Sequence, residues 1–117
     1  MKIRKIAHPE DDTLESFLRK LVLDAARKLG WDVYSTKNSR RSPEGYPDLT
    51  MVRVHRIPGR VWLVYAELKR PKDTTTAKRK ADQAKWLALL DNPAAGVRSC
   101  LWRLADWDSG AILEVLK

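Results

Sequence analysis

From Leu14 the apolar positions recur at Phe17, Leu18, Leu21, Val22, Ala25 and Leu29. That spacing predicts a helix over 13–29, with Asp12 as N-cap and Gly30 as the stop. Beyond it the period changes. Trp31 to Ser35 alternates and reads as a short strand. Residues 36–46 mix Ser, Asn, Pro and Gly with Lys37, Arg40 and Arg41, which makes a basic loop. Asp48 to Val54 reads as a second strand and Val61 to Lys69 as a third, with Pro58-Gly59 marking the turn between them. The third is apolar on both faces almost to its end, as in a strand covered on both sides of a sheet. Pro71 ends it. Thr74, Thr75 and Thr76 supply N-cap choices for a helix through about Leu90, whose apolar stripe includes Ala84, Leu87 and Leu90 with Trp86 beside it. Asn92-Pro93 closes that helix. Val97 to Leu104 reads as a fourth strand, and Asp108 or Ser109 caps a last short helix from Ala111 to Leu116.

The order is helix, three strands, helix, strand, helix. Short connections make the first three strands an antiparallel meander, and the third strand, helix and fourth strand form a right-handed parallel crossover. The expected fold class is α/β, a mixed sheet flanked by helices. At 117 residues one domain is expected over 1–117. A chain of this size buries roughly two-thirds of its unfolded surface, enough for a core without staples. Cys100 is the only cysteine, so neither an internal disulfide nor a Cys-rich zinc site is available. Its setting in Ser99-Cys100-Leu101-Trp102 buries it as a small apolar side chain. No apolar run approaches the ~20 residues of a membrane span. Met1-Lys2-Ile3-Arg4-Lys5 has neither the apolar stretch nor the cleavage site of a secretory leader. A reducing, cytoplasmic setting is the expectation.

A symmetric turn at 55–60 pairs Val54 with Val61, Thr50 with Tyr65 and Asp48 with Glu67. Opposite residues of an antiparallel pair share a face, with Cβ atoms roughly 4.5–5.5 Å apart. Two carboxylates so placed repel, and a divalent cation turns the repulsion into coordination. Mg²⁺ takes oxygen ligands, typically one or two carboxylates plus substrate phosphate. Lys69, two residues beyond Glu67, projects from the same face and can meet a scissile phosphate or position water. The alternative is that Lys69 merely neutralises Glu67, and a bulge in the hairpin would shift the pairing by one. Glu15 has two readings, a metal ligand or the N3 partner of Asp12 in a capping box. Gln83 likewise is either part of the site or an ordinary solvent-facing helix residue.

With Gly45-x-Pro47-Asp48, then Glu67-Leu68-Lys69, then Gln83 shortly before Trp86-Leu87, and Glu15 in the first helix, the chain resembles a stand-alone virus-type replication–repair nuclease (VRR-NUC) domain of the PD-(D/E)XK superfamily. The likeness runs over roughly residues 13–107 and includes Gly96-Val97 leading to Trp102 and Asp106. It implies a restriction-endonuclease-like αβββαβ core and Mg²⁺- or Mn²⁺-dependent hydrolysis of DNA phosphodiesters. Asp48, Glu67 and the backbone carbonyl of Leu68 would bind metal, with Glu15 bound directly or through water. Lys69 would activate water and stabilise the transition state, and Gln83 would support Lys69 or the nucleophile.

The net charge of +8 favours a polyanionic partner, nucleic acid or an acidic membrane surface. Arg70, Lys72, Lys78, Arg79 and Lys80 follow Lys69, while Lys37, Arg40 and Arg41 precede Asp48, so both clusters flank the site as a phosphate-tracking surface. No base-reading helix is evident, so recognition of DNA shape or branching is expected rather than of sequence, and the resemblance implies a branched substrate such as a Holliday junction or flap, in a bacterium or a phage-infected host cell. The resemblance also implies a homodimer, with Trp102, Trp107 and the last helix as one interface; those tryptophans completing the core is the alternative. His8 and His55 read as surface loop residues. Competing functions are a restriction-type nuclease, a non-catalytic nucleic-acid-binding module and an interaction protein with an acidic partner.

Overall fold

A computed structural model describes residues 14–36, 45–69 and 76–117. Gly30 stops the first helix, α1 (Leu14–Lys28), as the apolar spacing requires. At φ 88° it lets its own N–H reach Arg27 O at 3.1 Å and the N–H of Trp31 reach Ala26 O at 2.9 Å. This paired closure satisfies the carbonyls that a helix end leaves open. Asp12, the expected cap at the other end, lies outside the described residues.

Strands β1 (Asp32–Ser35), β2 (Leu49–Val54), β3 (Val61–Lys69) and β4 (Val97–Arg103) form one sheet in that order. β1, β2 and β3 are antiparallel neighbours, and β3 and β4 run parallel, joined by α2 (Ala77–Leu90). The β2–β3 hairpin keeps the register of a symmetric turn, Val54 opposite Val61 through Leu49 opposite Ala66, with no bulge. Thr76 is the cap of α2, its hydroxyl accepting the N–H of Arg79 at 3.2 Å.

The two faces of the sheet differ. Leu49 and Met51 of β2 and Val64, Ala66 and Leu68 of β3 pack with Leu18, Val22, Ala25 and Ala26 of α1 into the main apolar core. Each fully buried side chain of this kind contributes about 1.5–3 kcal/mol. The odd-numbered residues of β3 point the other way, where α2 lies. This second face carries the polar chemistry. β3 is thus internal to the sheet as expected, although Val61 and Trp62 at its start are exposed.

Three expectations are corrected. The fourth strand stops at Arg103, and Leu104 opens an additional short helix, α3 (Leu104–Asp108). Its cause is local: Asp106 turns back to accept the Arg103 N–H at 2.7 Å, which closes a helical first turn. The last helix, α4 (Ala111–Leu116), consequently starts after Gly110, not after a cap at Asp108 or Ser109. On α2, Ala84 is exposed, and the inward stripe runs Gln83, Trp86, Leu87, Leu90, a spacing of three and four that Ala84 does not share.

Trp102 of β4 and Trp107 of α3 are both in the core, with Ile112, Leu113 and Leu116 of α4. Arg53 locks this end. Its guanidinium lies 4.6 Å from the Trp31 ring centroid and donates to Leu116 O at 2.9 Å and Lys117 O at 2.7 Å. Trp31 Nε1 also donates to Leu116 O, at 2.8 Å.

Cys100 is half-buried against the same core, and burial pushes its thiol up to about 11. The thiolate is the reactive form. Alkylation by iodoacetamide at pH 8 is therefore expected to be at least about tenfold slower in the folded protein than after denaturation, as read by thiol titration. No helix among the described residues is long and apolar enough to cross a membrane.

Candidate functional site

At one end of the sheet four elements converge, and Gly45-Tyr46-Pro47-Asp48 is the piece that fits them together. Gly45 sits against the backbone of α2. A Cβ there would fall 2.5 Å from the carbonyl carbon of Asp82 and 2.6 Å from the nitrogen of Gln83, and its φ is 81°. Only glycine meets both conditions. Tyr46 then wedges its ring edge-on between Tyr65 of β3 (centroids 6.4 Å apart) and Trp86 of α2 (5.3 Å). The Tyr65 hydroxyl is held above the ordinary tyrosine range by burial first and by Tyr46 second, so the Tyr65 ring stays a neutral spacer. Pro47 is fully buried. Gly45 and Tyr46 thus tie the loop to α2 before Asp48 is reached.

Asp48 lies one residue before β2. Its backbone carbonyl takes the Thr36 N–H at 2.9 Å, and its side chain turns towards β3, where Oδ2 accepts the N–H of Leu68 at 2.9 Å. Backbone polar groups along a strand alternate between its two neighbours. Leu63 directs its N–H to Gly96 O ahead of β4 at 2.9 Å, so the even-numbered residues of β3 face β2. The Leu68 carbonyl shares that direction. The β2–β3 pairing ends with Leu49 opposite Ala66, so Leu68 lies beyond it, next to Asp48.

Glu67 and Lys69 project from the face that α2 covers, and Gln83 reaches down between them. All three are buried, at 5%, 6% and 5% exposure. The Lys69 ammonium donates to Gln83 Oε1, and Gln83 Nε2 donates to Glu67 Oε1 at 3.2 Å. The chemistry fixes the amide's orientation, since an ammonium can only donate and a carboxylate only accept. Gln83 is therefore no solvent-facing residue. It holds a buried anion and a buried cation a fixed distance apart, where direct contact would have spent both on each other. Burying either charge alone would be strongly unfavourable.

One contributor was missed from the sequence. Arg19 of α1 donates to the Ser35 hydroxyl and places NH2 3.6 Å from Asp48 Oδ1. The signal was its position one helical turn after Glu15, which puts the two on one face of α1. Glu15 itself is in α1, and its side chain lies outside the described residues. So do Lys37, Arg40, Arg41, Arg70 and Lys72. Lys78, Arg79 and Lys80 are exposed on the first turn of α2, which carries no acidic residue.

Asp48 and Glu67 are oxygen donors of the kind that a hard cation takes. Among the described residues no group of three His, Cys, Asp or Glu side chains is close enough to hold a metal. No family model matches this chain, and no curated protein or solved structure matches it either.

Proposed function

We propose that this chain is a metal-dependent endonuclease that hydrolyses DNA phosphodiester bonds. The fold would be restriction-endonuclease-like and the domain of the VRR-NUC kind. The observation that carries the reading is the buried chain Lys69–Gln83–Glu67 beside Asp48. Removing opposite charges from water and then keeping them apart is costly, and a core residue pair would serve stability better. The same arrangement gathers two carboxylates and an ammonium near one end of β3, groups of the kind that phosphoryl chemistry uses.

Asp48, Glu67, the Leu68 carbonyl and Glu15 would hold Mg²⁺ or Mn²⁺. When bound, such an ion supplies Lewis acidity at the scissile phosphate. Lys69 donates to a phosphate oxygen and stabilises the charge that develops there. Gln83 keeps Lys69 in place and engages one oxygen of Glu67. Arg19 steadies the Asp48 carboxylate from α1. Lys78, Arg79 and Lys80, with Lys37, Arg40, Arg41, Arg70 and Lys72, would follow the DNA backbone on either side. Contacts of this type favour DNA shape over sequence, so a branched substrate such as a junction or flap is proposed. A homodimer is proposed with the family reading, through a surface other than Trp102 and Trp107, which the core consumes.

The test is cleavage of labelled four-way, flap and linear DNA with Mg²⁺, Mn²⁺ or EDTA. Cutting that persists in EDTA, or salt-sensitive binding with no cutting of any substrate, refutes the proposal, and the second result assigns a binding module instead. Lys69→Ala should lower the single-turnover rate about 10²–10⁴-fold, while DNA affinity, set by many phosphate contacts, changes less than about threefold. Equal losses in rate and affinity would make Lys69 only a contact residue.

A further inference from the structure

The opposite end of the sheet holds a groove of about 750 Å³ between the β2–β3 turn, the start of β4 and the end of α4. Its wall contains an exposed ring that is held from two sides. Trp62, 37% exposed, packs against Gly96, where a Cβ would come within 3.3 Å of the indole. His55 covers one face of the ring, with centroids 4.6 Å apart and planes tilted by 38°. The turn fixes that imidazole in its own right, since the Ile57 N–H donates to His55 Nδ1 at 3.0 Å. The apolar floor continues onto Val54, which is 80% exposed.

The charge lining the groove is unbalanced. Arg53 is engaged by the carbonyls at the end of α4, and Glu114 is paired with Lys117 at 3.0 Å. That leaves Arg56 and Arg98, neither of them in an ion pair among the described residues. A rigid, half-open indole flanked by two arginines fits a ligand that alternates flat π-faces with negative charge. An acidic peptide supplies the charge without the rings, and an apolar surface supplies neither.

We propose that this groove binds an unpaired segment of nucleic acid, one base stacked on the face of Trp62 that His55 does not cover and the neighbouring phosphates on Arg56 and Arg98. Trp62 and Glu67 are five residues apart on β3, about 17 Å at the usual strand rise. That is about half a helical turn of duplex, so the groove is a separate subsite, and the inference stands whether or not the other end of the sheet cuts DNA.

Binding is read in EDTA, where the proposed cleavage is silent, by anisotropy of a labelled thymidine oligonucleotide of about 12 nucleotides. Trp62→Ala should weaken binding at least about fivefold and Trp62→Phe should recover most of it. Arg56→Ala with Arg98→Ala, both at exposed positions, should weaken binding and reduce the salt slope by about 1.4, the value for two phosphates on a single strand. Near-ultraviolet dichroism confirms the fold of each variant. Wild-type affinity in folded Trp62→Ala, or an unchanged salt slope in the double variant, overturns the proposal. Tighter binding of a polyglutamate peptide than of the oligonucleotide, lost in the same variants, overturns it in favour of an acidic protein partner.

Discussion

Glu67→Gln is expected to abolish metal-dependent cleavage, with a loss of at least about 10³-fold in single-turnover rate. The amide is nearly isosteric and retains an oxygen that can accept from Gln83 Nε2, so the hydrogen-bonded chain survives. What disappears is the negative charge. That charge does two things: it would hold the cation, and it compensates Lys69 in a site where both are almost fully buried. The variant should therefore also melt earlier than the parent, because one buried charge now lacks its counterweight. Calorimetric titration with Mn²⁺ checks the first effect separately from the assay, since heat of binding should vanish with activity. Full cleavage by Glu67→Gln would mean that the carboxylate is a structural partner of Lys69 and Gln83 and nothing more. Asp48→Asn makes a useful companion. Its oxygen can still cap the Leu68 N–H, so it should lose activity with less thermal destabilisation than Glu67→Gln.

Gly45→Ala should be nearly as damaging, although Gly45 touches no reacting group. The left-handed backbone costs a side-chain-bearing residue about 1–2 kcal/mol. The new methyl would also meet backbone atoms of Asp82 and Gln83 at 2.5 and 2.6 Å, and neither can swing aside. Overpacking of this kind costs about 1–3 kcal/mol more. Relief comes only by lifting the 45–48 loop from α2, which moves Asp48 relative to Gln83. The expected result is a lowered melting temperature together with a cleavage loss that extra Mg²⁺ does not restore. Retained activity at a lowered melting temperature would show that the loop and the site are mechanically independent.

Much of this arrangement was legible from the chain, because it rests on local rules. Pro58-Gly59 set a symmetric turn, and a symmetric turn fixed which residues of β2 and β3 face one another. Gly30 and Thr76 marked helix boundaries through ordinary capping chemistry. The parts that were not legible depend on contacts between distant segments. From the pattern alone Gln83 stayed open between site residue and solvent-facing residue, because its polarity hid its place in the stripe with Trp86, Leu87 and Leu90. Its burial follows only once Lys69 and Glu67 are known to lie beneath it. Arg19 was passed over as one surface charge among many on α1. The role of Gly45 required the position of Asp82, thirty-seven residues further on. The helix after Arg103 was hidden because five residues are too few for a period to show, although Asp106 carried a capping signal.

The parallel pairing of β3 with β4 has a consequence for how the molecule acquires its chemistry. The β2–β3 hairpin is contiguous in sequence, and hairpins of this kind close within about 1–10 μs. Parallel strands cannot meet until the whole crossover has been threaded between them, and such non-local contacts form slowly. Asp48 and Glu67 would thus approach early and remain hydrated, while Gln83 reaches them only as α2 docks. The step that completes the polar chain is the same step that completes the sheet. Recovery of activity after denaturation would then follow the slowest structural phase, and a partly folded chain with its hairpin already formed would have the acids in place and nothing to hold the lysine.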